Sequence, residues 1–285
     1  MPITEKKNEA SVPWAQLRIP PFPQVAIRVL QLANSEKVRL TQLSELISSD
    51  AAFASEVLTV ANSLLYAPRF PSTSILQAIS VLGSDHLQGM CMTVGMRAYL
   101  GRSLSDSAMR GLWRHSLASA VLAERLARAG GMDKDIAYTA GVLHDVGRLA
   151  LAVIRPKEYT ELLSRHTGTA ASILEAEAEL FGKNHCEVGQ KLIVDWKLSS
   201  EFAPIVCDHH TPHATEDSCW NMSELIKVCC RLADVTGFPA FEGCAVTPYE
   251  ELLALLPPGE RGTLPLDVEE LGDEVEERIR GVESV

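Results

Sequence analysis

The sequence predicts an all-α protein. Three observations carry that expectation: apolar residues recur at three- and four-residue spacing from Pro20 onward, capping residues stand ahead of many such runs, and alternating strand-like patterns hardly occur. The chain has 285 residues, 46% of them hydrophobic, enough for a sizeable core arranged as one large domain or two smaller ones in contact.

The segment Pro20-Pro21-Phe22-Pro23 is a stiff entry, and Pro23 suits the first turn of a helix carrying Val25, Ile27, Val29, Leu30 and Leu32. Thr41 is expected to cap a short helix with Leu43, Leu46 and Ile47 on one face, and Asp50 the next, with Phe53, Val57, Leu58 and Ala61. Ser74 with Gln77, and Asp85 with Gln88, have capping-box spacing, and Gly83 fits a stop between them. The first hundred residues read as a bundle of short helices suited to packing or binding, without an ionisable cluster.

Longer helices are expected next. One runs from about Ala108 to Ala129 and carries His115; Gly130-Gly131 breaks it, and a second from about Asp135 to Ile154 carries His144 and Asp145. In an antiparallel hairpin these side chains lie one or two helical turns apart in height, so they can share a cleft. Pro156 ends the pair. Ser172 with Glu175, Asn184 with Glu187 and Asn221 with Glu224 mark three further starts. They place His185 in a first turn, His209 and His210 near a helix end, and Asp234 well inside the last. Beyond residue 240, Asp267 precedes Val268, Leu271, Val275, Ile279 and Val282, an amphipathic helix docked on the body or on another subunit.

Charge and composition exclude several classes. The net charge is −11, but residues 241–285 carry 12 Asp and Glu against 3 Lys and Arg, which leaves the rest near neutral at −2. Without a basic cluster there is no footprint for nucleic acid or an anionic membrane surface. The start, Met1-Pro2-Ile3-Thr4-Glu5-Lys6-Lys7, lacks an apolar core, and no run of about 18 apolar residues occurs. Seven cysteines without regular spacing fit a reducing cytoplasm and the role of small buried apolar residues. His86, His166 and His213 are expected as hydrogen-bonded core residues, and Trp113, Trp196 and Trp220 as aromatics packed between helices.

The chemistry concentrates at His144-Asp145, a charged pair in the apolar run Ala140–Leu149. A divalent metal is the partner that suits an imidazole and a carboxylate together. His115, His144, Asp145, His185, His209, His210 and Asp234 supply five imidazoles and two carboxylates from five helices, enough for one or two ions. Such ligands suit iron or manganese first, with zinc, cobalt or nickel also compatible, and disfavour calcium. Arg148 either clamps a phosphate or solvates the end of its helical turn.

The series Trp113-Arg114-His115-Ser116, Leu143-His144-Asp145-Val146-Gly147-Arg148 and Ala233-Asp234 resembles the HD superfamily of metal-dependent phosphohydrolases. Pro20-Pro21-Phe22-Pro23, Ile47-Ser48-Ser49-Asp50, Ala61-Asn62-Ser63 and Gln77-Ala78-Ile79-Ser80-Val81-Leu82-Gly83 are similar to the HDOD domain, a helical signalling module related to the HD and HD-GYP phosphodiesterases. The likeness runs from about Leu17 to Gly237. It implies a two-lobed fold and a role in bacterial signal transduction, and does not by itself imply catalysis. His185 before Glu187-Val188-Gly189, and the His209-His210 doublet, resemble the additional HD-GYP ligands. Arg148 stands where those enzymes usually have Lys, Thr211 where Glu is expected, and no Gly-Tyr-Pro follows, so cyclic di-GMP specificity is not implied.

The expected organisation is an N-terminal extension (1–16), an N-terminal helical lobe (17–105), an HD-like lobe (106–240) and an acidic C-terminal segment (241–285). Two readings stand. In one, a metal-dependent phosphohydrolase acts on a phosphate ester or nucleotide, with Asp145 and Arg148 as catalytic residues. In the other, a non-catalytic regulatory module binds a signalling protein, with a structural or vestigial metal site. A cytoplasmic location and a homodimer accompany both.

Overall fold

Helices carry the described chain throughout, with no strand among the described residues and one isolated bridge between Gly168 and Cys244. The computed structural model describes residues 20–33, 38–63, 65–66, 68–169, 172–211 and 220–283. The expected extension 1–16, His213 and Cys219 lie outside them.

The N-terminal helices are α1 (Gln24–Ala33), α2 (Leu40–Ser48), α3 (Ala51–Ala61), α4 (Ile75–Leu82) and α5 (Ser84–Leu100). Asp50 caps α3 through Phe53 N at 3.0 Å, and Ser74 caps α4 through Gln77 N at 3.2 Å. Two expected caps are corrected. Thr41 lies inside α2, because Gln42 accepts the Arg39 N–H at 3.1 Å and makes Arg39 the cap position. Asp85 lies inside α5, because Gly83, at φ 94°, ends α4 and begins α5 at a single residue.

A 3-10 turn (Gly101–Ser105) leads to α6 (Ser107–Ala129), capped by Asp106 and closed at Gly130-Gly131. The single helix expected from Asp135 to Ile154 is in fact two, α7 (Lys134–Leu143) and α8 (Val146–Ile154). His144 N still bonds Ala140 O at 2.8 Å, but Asp145 leaves helical geometry at φ −103°, ψ 18° and starts a new ladder through Leu149 N. The break turns α8 away from α6. Together Lys134–Ile154 has the length and mean hydropathy, 1.2, of a membrane span, yet 89% of that window is buried inside the protein, so its apolarity serves the core.

Five helices complete the second half: α9 (Pro156–Arg165), α10 (Ser172–Phe181), α11 (His185–Asp195), α12 (Phe202–Asp208) and α13 (Met222–Val235). Pro156 not only ends α8 but opens α9 at its first position. Ser172 is the first residue of α10 rather than its cap, since its N–H goes to Thr169 Oγ1 at 3.2 Å. Asn184 and Glu187 form a full capping box on α11, and Asn221 caps α13.

The acidic segment folds as α14 (Tyr249–Leu255), α15 (Pro258–Arg261) and α16 (Val268–Glu283). Leu271, Val275, Ile279 and Val282 are buried, so the amphipathic helix docks on its own chain. It lies along α6, where Arg278 meets Glu124 at 2.6 Å and Glu274 and Glu276 meet Arg125 and Arg114. One apolar cluster runs through both halves: Phe22 stacks on Trp196 at 4.4 Å, and Thr93 bonds Tyr138 across the lobes at 3.0 Å.

Candidate metal centre

The break after α7 decides the geometry. At its first turn α8 presses on α11: a Cβ on Gly147 would stand 1.9 Å from the His185 carbonyl oxygen, so only glycine allows this approach. Gly141 plays the same part where α7 crosses Ala120 of α6, at 2.4 Å. His144-Asp145 is thereby held between His115 on one side and His185 on the other.

The histidines are set by what their outer nitrogens bond. His115 Nδ1 donates to Phe238 O at 2.8 Å, His144 Nδ1 to Gly141 O at 2.7 Å, and His209 Nδ1 to Val206 O at 2.9 Å. A carbonyl only accepts, so each Nδ1 carries a hydrogen and each ring turns its Nε2 inward. Such an outer bond is the usual means of orienting a metal-ligating imidazole. His115 Nε2 and His144 Nε2 then face each other at 3.3 Å, with Cys230 Sγ 3.6 Å from the former. Asp145 Oδ2 lies 3.8 Å and 3.9 Å from these two nitrogens; it is buried and has no hydrogen-bond partner.

The second side is ionic. Asp145 Oδ1 stands 3.2 Å from His209 Nε2 and 3.4 Å from His185 Nε2. Arg148 brings Nε to 3.0 Å from Asp145 Oδ2, at an angle that makes an ion pair but no hydrogen bond, and Nη2 to 3.3 Å and 3.2 Å from His185 and His210 Nε2. Glu177, fully buried, accepts His185 N at 2.8 Å, His185 Nδ1 at 2.6 Å and the Tyr159 hydroxyl at 2.5 Å.

Burial and these pairs set the charges. Burial pushes His144 down to about 3 against the pull of Asp145, and lowers His209 and His210 as well. Burial also disfavours charge on His185, but the Glu177 carboxylate outweighs it and raises His185 to about 10. Burial opposes the ionised Asp145, yet Arg148 holds that carboxyl well below its usual range. Arg148 and His185 as cations against Asp145 and Glu177 as anions leave the second side neutral, the condition for burying four ionised groups.

Of the residues singled out from sequence, His144 lies with His115 and Cys230, and Asp145 with His185, His209 and His210, in two groups whose donor atoms are mutually within 4.8 Å. Asp234 is placed otherwise. It is the next-to-last residue of α13 rather than well inside it, and stands behind His115, 3.4 Å from Nδ1, with Ala240 N bonded at 3.1 Å. Burial raises its pKa. Arg148 is fully buried, paired with Asp145 and set against His185 and His210.

Sequence reasoning missed Cys230 and Glu177. Cys230 was expected to be apolar filler, yet it sits one turn before Asp234 on α13, a spacing that puts both on one face. Glu177 stands between Ile173 and Phe181 on the buried stripe of α10, where a carboxylate needs a partner. Cys91, Cys186 and Cys229 do serve as buried filler, while Cys207 and Cys244 are partly exposed. His86 and His166 are hydrogen-bonded, to Asp135 at 2.8 Å and Ser172 at 2.9 Å, but are only partly buried. Trp113 and Trp196 are core, and Trp220 is partly buried.

The donors fit a divalent ion: two imidazole Nε2 atoms and a thiol converge in a buried space, with a carboxylate oxygen that accepts no hydrogen bond 3.8 and 3.9 Å from the two nitrogens. A cavity of about 390 Å³, lined by Arg114, Thr160, Phe238 and Phe241 among others, contains none of these ligands. It shares Phe238 with the site, through the carbonyl that His115 bonds.

The fold and site invite comparison with known proteins. A family model described as the HDOD domain matches residues 19–212. A curated relative, an uncharacterized protein from Treponema pallidum (strain Nichols), is 28% identical over 210 residues, 70% of this chain and 39% of its own length. The chain thus spans well under half of that relative. An HDOD domain protein of unknown function from Geobacter sulfurreducens superposes with a TM-score of 0.68 at 23% identity, covering 94% of this chain and 92% of its own. A candidate metal-dependent phosphohydrolase from Shewanella amazonensis gives 0.63 at 22%, with the same coverage of 94% and 92%. These identities speak to the fold alone.

Proposed function

Because the chain belongs to the HDOD-domain family, we propose that it is a signal-transduction module organised round a buried divalent-metal centre. One observation carries this reading. His115 and His144 turn their Nε2 atoms toward each other across 3.3 Å, with their Nδ1 hydrogens committed to carbonyls. A divalent cation between them would take one lone pair from each ring. His115, His144 and Asp145 would hold the ion, which supplies Lewis-acid charge when bound. His185, His209 and Arg148 fix the Asp145 carboxylate from the other side.

Burial favours a structural or regulatory centre over turnover. His115, His144, Arg148 and His185 have no exposed surface and Asp145 is 1% exposed, which leaves a phosphate ester no approach through the described residues. The N-terminal helices and the acidic outer face of α16 are the surfaces assigned to a protein partner. A reducing cytoplasm belongs to the same reading, supported by six described cysteines that are all free. Metal analysis with a substrate screen tests it. One bound ion without hydrolysis of phosphomonoesters or phosphodiesters fits, and hydrolysis abolished by Asp145→Ala contradicts it.

The second reading, a phosphohydrolase acting through Asp145 and Arg148, is favoured by His210, which is only partly buried and gives the second side an edge toward solvent. The resemblance in fold to a candidate phosphohydrolase is compatible with it.

A further inference from the structure

One of the two ligand groups already contains a side-chain cation. Asp145, His185, His209 and His210 converge as a metal would require, yet the Arg148 guanidinium is already among them, with Nη2 on His185 and His210 and Nε on Asp145. A guanidinium is a permanent cation with no acceptor, and it is fully buried here with no described route out. It stands against the same carboxylate and imidazoles that a second ion would need. On the other side no side-chain cation stands among His115 Nε2, His144 Nε2 and Cys230 Sγ, which lie within 4.8 Å of one another; Asp145 Oδ2, paired behind with Arg148 Nε, is 3.8 and 3.9 Å from the two nitrogens. Asp234 is turned away, toward the outer nitrogen of His115.

We propose that the centre takes a single ion, bound by His115, His144 and Cys230 with Asp145 alongside, and that Arg148 is the built-in cation of the second position. Asp234 is then a positioning residue that holds His115 from behind. A thiol ligand shifts the preference toward zinc, iron(II) or cobalt(II) and away from manganese. Binding converts Sγ–H to a metal-bound thiolate and releases its proton to solvent. The inference rests on the proposed metal centre and goes beyond it in capacity and ligand set.

Titrating the full-length, metal-free protein with cobalt(II), counting bound metal after desalting and recording absorption, tests both parts. The expected wild-type result is one cobalt per chain with a near-ultraviolet thiolate-to-cobalt band. The band disappears in Cys230→Ser, and Asp234→Asn keeps both the band and the count. Arg148→Met, of similar length without charge, rises toward two per chain, whereas Arg148→Lys stays at one. Two ions in wild type overturn the role of Arg148, and that count decides even if Arg148→Met does not fold. One ion without the band, or a band that survives in Cys230→Ser, overturns the ligand set while the metal centre itself stands. No cobalt bound by wild type overturns the centre and the inference together.

Discussion

His115 on α6 and His144 at the end of α7 point their Nε2 atoms at each other across 3.3 Å, their helices joined by the Gly130-Gly131 turn and running side by side. The arrangement persists because each ring is anchored at Nδ1, to Phe238 O and Gly141 O. The lone pairs are oriented before any ion arrives, which lowers the ordering cost of binding one.

Glu177 balances the second side, and its loss should be felt in stability. Glu177→Gln removes the carboxylate that keeps His185 protonated, so folding must either bury an unpaired His185 cation or strip its proton, and breaking a buried pair in this way costs about 3–5 kcal/mol. Urea unfolding checks this, and a loss under about 1 kcal/mol would mean that water reaches the pair.

Gly147→Ala should be as damaging through sterics alone. The added methyl would lie 1.9 Å from the His185 carbonyl oxygen, backbone that cannot give without parting α8 from α11. The expected destabilisation is about 3 kcal/mol or more. Near-wild-type stability would show that the two helices can separate freely.

The docking of α16 rests on its apolar stripe more than on its ion pairs. Ile279 is fully buried, so Ile279→Ala should cost about 2–5 kcal/mol. Glu274 has a side chain 47% exposed, and Glu274→Gln should change stability by about 1 kcal/mol or less. The reverse order in thermal unfolding would reject this division.

Asp135 provides a pH test away from the centre. Burial raises its pKa, but hydrogen bonds from His86 and Lys134 outweigh burial and lower it below the ordinary carboxylate value. A carboxylate whose pKa falls on folding stabilises above its unfolded pKa of about 3.9 and loses that contribution as pH drops through the folded value. Wild type should therefore exceed Asp135→Asn in stability at neutral pH, and the gap should close in acid. A gap that widens in acid would contradict the sign.

The parts legible in the sequence are those set by local rules. Asp50, Ser74, Asn184 and Asn221 cap the helices expected of them, and the α16 stripe buries Leu271, Val275, Ile279 and Val282 as its spacing indicated, with Val268 partly buried. The break at His144-Asp145 was not legible, because Ala140–Leu149 is equally apolar on both sides and the turn answers to tertiary contacts with His115 and His185. Asp234 was expected among the ligands; which oxygen or nitrogen faces inward is set by the Phe238 and Ala240 backbone, beyond the reach of spacing. The burial of Arg148 likewise depends on α11 and α12 closing over it, with His185 and His210 within 3.3 Å.

The central claim is that His144 and Asp145 organise a metal centre, and the direct test is metal content of wild type and of the His144→Ala, Asp145→Ala double variant, as isolated and after reconstitution with iron(II), zinc or manganese. Stoichiometric metal in the wild type that is lost from a still-helical double variant is the predicted result. Wild type that takes up no stoichiometric metal, or a double variant that retains as much, would contradict it.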